Sequence, residues 1–185
     1  MTHVLQILSQ ILNPEKYVQG TNSVLTVVEQ HRQASLKSIN IVSVGQNALA
    51  LKLDECGFPG NNVFVVQHKM HRACDAVAFC TVGDESYILC CELKSSEPSR
   101  HEVTEQFQSA QCFLSYLDSL LATYHNLTIA HWPRRYFVFH DAAKNPLSKA
   151  PLVDTTKNDI PERAQILPVQ NGARIYLRKL LGKPL

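Results

Sequence analysis

Charged residues are scarce in this chain, and long apolar runs are missing. Charged residues make up 18% of the 185 residues, and hydrophobic residues make up 45%. So little charge beside so much apolar content argues against disorder over most of the length. No stretch approaches the roughly 20 apolar residues that a transmembrane helix needs, so we expect no membrane partner.

Several catalytic and metal-binding motifs are also missing. There is no GxSxG elbow and no glycine-rich phosphate loop, which argues against serine hydrolysis and P-loop nucleotide binding. The six cysteines include no CxxC pair, which disfavours structural zinc. The N-terminus has no basic segment followed by a long apolar stretch, so we expect no secretory signal. We therefore expect a cytoplasmic protein with reduced, buried cysteines.

The charge balance is too mild to identify a partner. The formal net charge is +2, and the isoelectric point is about 8.2. A nuclease needs only a local basic surface, because its affinity comes from a few phosphate contacts. The composition therefore permits a nucleic-acid partner without requiring one.

Two stretches of helical spacing open the chain. In Met1–Leu12 the apolar side chains recur at intervals of three and four, which predicts a helix that Asn13–Pro14 would end. Asn22 or Ser23 is a candidate N-cap for a second helix through about Leu36.

A strand-rich block follows, and the period then returns to that of a helix over Val103–Leu121. Asn171–Leu181 suits a strand or a terminal helix, and residues 141–164 suit a surface loop. The predicted strands are Ile39–Val44 and Ala48–Leu53 (a hairpin turning at Gly45–Asn47), Val63–Gln67, Ala73–Thr81 and Tyr87–Leu93 (a second hairpin), Tyr136–His140 and Gln165–Val169.

This order predicts the α/β or α+β class, with a mixed central sheet flanked by helices. A chain of 185 residues is expected to form one domain. We place its core at about residues 23–140, with a C-terminal loop and extension at 141–185.

Two predicted strands carry acids where apolar residues are expected. Tyr87–Lys94 reads YILCCELK, and side chains alternate between faces along a strand, so Glu92 and Lys94 share a face. Asp75 interrupts the apolar run of the preceding strand. A buried charge is costly unless it is paired or binds a metal, so these residues need a specific partner. If the two strands form a hairpin, Asp75 and Glu92 converge.

That convergence suits phosphodiester hydrolysis. The carboxylates of Asp75 and Glu92 and the backbone carbonyl of Leu93 can hold Mg²⁺ while leaving several waters on the ion. Such an ion polarises a phosphoryl oxygen and acidifies a bound water. The ammonium of Lys94 can orient the attacking water or stabilise the charge that grows on the phosphate.

Asp75 followed by Glu92-Leu93-Lys94 resembles the PD-(D/E)xK nuclease superfamily, which includes restriction endonucleases and DNA-repair nucleases. The resemblance implies a restriction-endonuclease-like core of order α-β-β-β-α-β. It also implies Asp75 and Glu92 as metal ligands, Lys94 as the catalytic lysine, and Mg²⁺ as cofactor with Mn²⁺ as a substitute. The superfamily's proline before the first acid is replaced here by Cys74.

The resemblance further implies a DNA substrate, products with a 5′-phosphate and a 3′-hydroxyl, and a role in restriction, defence or repair. An additional acid on the first core helix corresponds to Glu29. A glutamine on the helix after the motif corresponds to Gln106 or Gln111. A chain with little length for a separate recognition domain is expected to cut with low sequence specificity, to act as a homodimer, or to serve as the nuclease part of a larger complex.

Basic residues flank the predicted site in the sequence. They suggest a rim that grips the phosphate backbone, with a scattered polar surface as the alternative. The candidates are His68, Lys69, His71, Arg72, Arg100 and His101.

Other interpretations of the motif remain open. Glu92 and Lys94 suit an ordinary ion pair at an exposed strand end, and Asp75 suits a carboxylate that caps backbone amides. Glu29, Gln106 and Gln111 also suit plain polar positions on helix surfaces. At the level of the whole chain, the alternatives are a catalytically silent module of the same fold that binds protein or DNA, and a metal-free interaction protein of unrelated fold.

Overall fold

A computed structural model of the chain describes residues 2–18, 20–21, 23–29, 31–44, 48–53, 73–142 and 157–183. Within these ranges, no helix has the length and apolar character to cross a membrane.

The described residues form three helices and nine strands in a mixed α+β arrangement. Short 3₁₀ turns occur at Pro14–Lys16 and Pro161–Arg163. The elements in chain order are α1 (His3–Ile11), β1 (Gly20–Thr21), β2 (Val24–Val28), β3 (Ser38–Val42), β4 (Ala48–Lys52), β5 (Ala76–Val82), β6 (Glu85–Lys94), α2 (Arg100–His125), β7 (Arg134–Asp141), β8 (Gln165–Val169), β9 (Ala173–Tyr176) and α3 (Leu177–Leu180).

The larger sheet has five strands in the order β4-β5-β6-β7-β8. Strands β4, β5 and β6 form an antiparallel meander, and β7 and β8 then run parallel to β6. A parallel neighbour requires a long crossover connection, and α2 provides it between β6 and β7. The tight turn between β5 and β6 contains Gly83 at a φ of +64°, a left-handed conformation that glycine adopts without steric cost.

One face of this sheet is covered by helices. The buried residues of α2 recur at intervals of three and four, as the sequence pattern predicts. The helix begins after Ser99, whose hydroxyl accepts the Glu102 N–H, and ends at Asn126 in the left-handed conformation. Leu5 and Leu8 of α1 are fully buried in the same apolar cluster, which includes Ile88 and Cys90 of β6.

The other face is covered by a second sheet, in the order β1-β2-β3-β9. Its inward residues, such as Leu25 and Ile39, share a buried cluster with Leu89 and Cys91 of β6. Alternation along β6 therefore sends even-numbered side chains toward the helices and odd-numbered ones toward the second sheet. The helices expected to flank this sheet cover one of its faces; within the described residues, the second sheet and the short α3 cover the other.

The helix predicted from Asn22 or Ser23 to about Leu36 is absent from the described residues 23–29 and 31–36. Val24–Val28 forms β2, with Leu25 and Val27 buried and Val28 exposed, which is the period of a strand. The predicted hairpin across Gly45–Asn47 is also wrong, because its two strands, β3 and β4, lie in different sheets. The turn itself and Val63–Gln67 lie outside the described residues.

The other predicted elements are present. The first helix, the β5–β6 hairpin, α2, β7 and β8 lie where the sequence predicts them. Residues 171–181 contain both of the predicted alternatives, since β9 leads directly into α3.

Candidate active site

The end of the β5–β6 hairpin brings Asp75 and Glu92 together. The last backbone pair in the register is Ala76 with Cys91, so the two acids lie one step beyond it. The Asp75 N–H donates to Glu92 Oε2 at 3.1 Å, and the Leu93 N–H donates to Asp75 Oδ2 at 2.6 Å. Each carboxylate thus binds the backbone of the opposite strand, in place of ladder hydrogen bonds.

Lys94 completes the trio. Its Nζ lies 2.8 Å from Glu92 Oε1, because two residues one pleat apart on the same face can bring long side chains together. The same ammonium lies 3.0 Å from Glu102 Oε1 in the first turn of α2. Lys94 is therefore held between two carboxylates, one from its own strand and one from the helix.

A second residue of α2 supports Glu92. Gln106 lies one helical turn after Glu102, and its Nε2 donates to Glu92 Oε1 at 2.8 Å. The Gln106 Oε1 is buried and accepts no hydrogen bond within the described residues. Gln111, the alternative glutamine, lies beside Tyr136 instead. The structure therefore places Gln106, and not Gln111, in the site.

Burial dominates the electrostatics of the site. Only 2% of the Glu92 side chain is exposed, and this desolvation raises the pKa of its carboxyl to about 7. The Lys94 ammonium and the Gln106 amide oppose that rise without cancelling it. Burial alone would lower the pKa of Lys94, but Glu92 and Glu102 outweigh it, so that the pKa of Lys94 is raised.

Two of the simpler interpretations have clear outcomes. Glu92 is not at an exposed strand end, because it is nearly fully buried. The Asp75 carboxylate does accept a backbone amide, as its alternative interpretation required. That contact and a role at a metal are compatible, because a carboxylate oxygen has more than one lone pair.

Glu29 does not occupy the position predicted for it. It follows β2 in the second sheet, and its Oε1 accepts the N–H of His31 at 2.7 Å. The site lies on the helix-covered face of the larger sheet, whereas the second sheet covers the opposite face. The first helix, α1, contains no acid that would take its place.

Only part of the predicted basic rim is described. His68, Lys69, His71 and Arg72 lie outside the described residues. Arg100 and His101 are exposed at the start of α2, six and seven residues after Lys94. The Arg100 guanidinium donates to the Ala164 carbonyl at 3.4 Å, and His101 lies 3.9 Å from Glu105.

Two neighbours of Lys94 were missed by the sequence reasoning. Glu102 has the spacing of a capping box with Ser99, and its carboxylate lies beside Lys94. His140 on β7 is in register with Lys94 and is 8% exposed. No local pattern indicates either neighbour, because both depend on how α2 carries the chain from β6 to β7.

The donors that the strand end offers to a cation are oxygen atoms. Within the described residues, no group of three or more His, Cys, Asp or Glu side chains suits a metal ion. Asp75, Glu92 and the Leu93 carbonyl supply oxygen donors, which fit Mg²⁺ because it keeps several waters. The cysteines described here are free thiols, and burial raises the pKa of Cys74 and Cys91 well above that of an ordinary thiol, which disfavours the thiolate that zinc needs.

No family model, curated protein or solved structure that was compared matches the chain. The contacts among Asp75, Glu92, Lys94, Glu102 and Gln106 are therefore the basis for any functional assignment.

Proposed function

We propose that this chain is a metal-dependent nuclease that hydrolyses phosphodiester bonds of DNA, with Asp75, Glu92 and Lys94 as its reacting set. One observation carries the proposal: a nearly fully buried glutamate lies within hydrogen-bond reach of a lysine, beside an aspartate from the adjacent strand. A buried carboxylate with a raised pKa, beside a specific charge partner, is a recognised mark of a functional site.

The order of the elements supports the proposal. When β1–β3, which lie between α1 and β4, are left out, the helix α1, the meander β4–β6, the crossover helix α2 and the parallel strand β7 have the order α-β-β-β-α-β. That is the core order of the restriction-endonuclease-like fold. Asp75 immediately precedes β5, and Glu92 and Lys94 end β6, so the antiparallel pairing of these two strands brings the motif residues together.

Each site residue has a role in the proposed reaction. Asp75, Glu92 and the Leu93 carbonyl would hold Mg²⁺ or Mn²⁺, which acidifies a bound water and polarises the phosphoryl oxygen when it is present. Lys94 turns from Glu92 toward the scissile phosphate and stabilises its developing charge. Gln106 keeps the Glu92 carboxylate oriented, and Glu102 keeps the Lys94 ammonium close to the strand end. Attack by water leaves a 5′-phosphate and a 3′-hydroxyl.

The test is an assay of the purified chain on supercoiled plasmid, with and without Mg²⁺ or Mn²⁺. We expect metal-dependent nicking, and we expect Lys94→Ala to lower turnover by roughly 10²–10³-fold, which is the usual effect of losing one transition-state donor. Metal affinity, measured by calorimetry, should change less than turnover. Equal loss of both would contradict the role assigned to Lys94.

One observation favours a second candidate, a catalytically silent module of this fold that binds protein or DNA. The two oxygens of Glu92 already accept three donors, from Lys94, Gln106 and the Asp75 amide. Such a site is satisfied without a cation. Wild-type protein that takes up no Mg²⁺ or Mn²⁺ by calorimetry and nicks no plasmid would establish this candidate over the nuclease.

A further inference from the structure

The loop between β2 and β3 is fastened to the chain immediately after Lys94. The Ser35 N–H donates to Ser95 Oγ at 3.0 Å, and the Ser35 hydroxyl donates to the Ser95 carbonyl at 3.1 Å. These two bonds join the second sheet to the strand end that carries the site, across 60 residues of sequence.

The same loop is held rigid from within. The Lys37 ammonium donates to the carbonyls of His31 and Arg32 at 2.9 and 2.7 Å. Asn171 Oδ1 accepts the N–H groups of Lys37 and Ser38, and Leu36 is fully buried. These bonds restrain the backbone of the described part of the loop, so less backbone entropy is lost when a ligand binds there.

The side chains that the loop exposes are hydrogen-bond donors. His31, Arg32 and Gln33 are exposed, and within the described part of the chain no acid pairs with Arg32 or His31. The nearby acid, Glu29, accepts the His31 N–H. Arginine, histidine and glutamine donors are the side chains that commonly contact nucleic-acid phosphates.

The loop that carries these donors is bonded to the segment that leads on to Arg100 and His101. The short segment that joins β6 to α2 runs from Ser95, which the loop holds, to Arg100 at the helix start. The chain next to Lys94 is therefore linked to exposed basic side chains from two elements, the β2–β3 loop of the second sheet and the start of α2.

We infer that the β2–β3 loop is a phosphate-contact element that grips the DNA backbone beside the site, with Arg32 as its principal contact and His31 as a second. This inference rests on the proposed nuclease function and names the part of the substrate that the second sheet recognises. It also assigns a task to that sheet, which replaces the helical layer that the sequence had predicted.

The test is fluorescence anisotropy with a short labelled DNA duplex in EDTA, where no cleavage occurs, across a salt series. We expect Arg32→Ala to weaken binding about tenfold, as expected for one lost charge-assisted hydrogen bond. The slope of log affinity against log salt should become shallower by about 0.9 for each phosphate contact removed. His31→Ala/Arg32→Ala should weaken binding further, and Arg32→Lys should keep the salt slope while losing part of the affinity.

The matched control is Lys179→Ala. Lys179 is an exposed cation on α3, beyond the Val42–Tyr176 end of the paired strands β3 and β9, whereas the loop precedes Ser38 at their other end. Equal weakening by Arg32→Ala and Lys179→Ala would overturn the inference, since it would reflect net charge alone. Unchanged affinity and salt slope in Arg32→Ala would overturn it as well.

The two proposals fail in different ways. Wild-type binding that depends on Arg32, without cleavage in any metal, would support the loop while removing the nuclease. Metal-dependent cleavage, with a DNA affinity that Arg32→Ala leaves unchanged, would support the nuclease and overturn the role proposed for the loop. A wild-type chain that neither binds nor cuts DNA would overturn both.

Discussion

Strand β6 carries a glutamate–lysine pair near each end, and the two pairs behave in opposite ways. At its start, exposed Glu85 pairs with Lys183, and hydrogen bonds from Lys183 and Tyr87 lower the pKa of Glu85. Near its end, Glu92 pairs with Lys94, yet burial raises the pKa of Glu92 to about 7. The chemical groups are the same, and the exposed fraction of the glutamate is 62% in the first pair and 2% in the second.

The difference shows that burial, and not the presence of a partner, decides how such a pair behaves. Water screens the Glu85 pair, so that pair contributes little to stability. The Glu92 pair has lost its water, so its lysine does not fully compensate the carboxylate. A cation beside Glu92 would stabilise its ionised form further, as the proposed function requires, whereas exposed Glu85 is already ionised by its partners and solvent.

The largest expected effect separates the two glutamates by activity. Glu92→Gln should lower metal-dependent cleavage by at least about 10³-fold, because it removes a charged ligand at the reacting centre. Asp75→Ala should do the same. Glu85→Gln should leave the rate unchanged. The measurement is the initial rate of plasmid cleavage, with circular dichroism to confirm that each variant folds. A wild-type rate in Glu92→Gln would contradict the assignment of the site.

The next largest effect distinguishes Glu92 from Glu85 by the pH dependence of stability. The pKa of Glu92 rises from 4.5 to about 7 on folding. Its contribution to the free energy of unfolding is therefore fully present below pH 4.5 and is lost as pH rises through about 7. The loss is worth about 3 kcal/mol, from about 1.4 kcal/mol for each unit of pKa shift.

Denaturant unfolding at acid and neutral pH tests this sign. Relative to Glu92→Gln, the wild type should become less stable as pH rises from 4.5 to about 7. Glu85 should act in the opposite direction and weakly, because its pKa is lowered and it is exposed to solvent. Parallel pH profiles for wild type and Glu92→Gln would show that the carboxyl of Glu92 is not perturbed by burial.

The smallest expected effect concerns the helix that supports the buried pair. Gln106→Ala should weaken metal binding by about 10–100-fold, which is typical of losing a group that orients a ligand. Gln111→Ala, five residues further along α2, is the control and should bind metal normally. Calorimetric titration with Mn²⁺ measures both. Equal affinities in the two variants would mean that Gln106 fills space without orienting Glu92.

The β5–β6 hairpin of the larger sheet and the convergence of Asp75, Glu92 and Lys94 were predictable from local patterns. Alternation along Tyr87–Lys94 placed Glu92 and Lys94 on one face, and the hairpin turn at Gly83 placed Asp75 opposite them. The two residues of α2 that contact Lys94 and Glu92 were not predictable in this way. Glu102 and Gln106 reach the site only because α2 crosses back over β6, which no short stretch of sequence specifies.

The second sheet was mispredicted for two different reasons. In Val24–Val28, the positions of valine and leucine suit a helix start, but the run is rich in β-branched residues and its burial alternates, so the strand signal was present. The pairing of β3 was a different matter. Its partners are β2 and β9, and the choice of β9 over the adjacent β4 depends on contacts more than a hundred residues apart.

The position of β9 in the chain has a consequence for biosynthesis. Ile39 of β3 pairs with Ala173 of β9, and a ribosome adds about 5–20 residues per second, so the partner strand emerges on the order of 10 s after β3. Throughout that interval one edge of β3 is unpaired, beside the apolar residues Ile39 and Ile41, and it is open to other extended chains. Until β9 is synthesised, the second sheet therefore lacks one of its four strands.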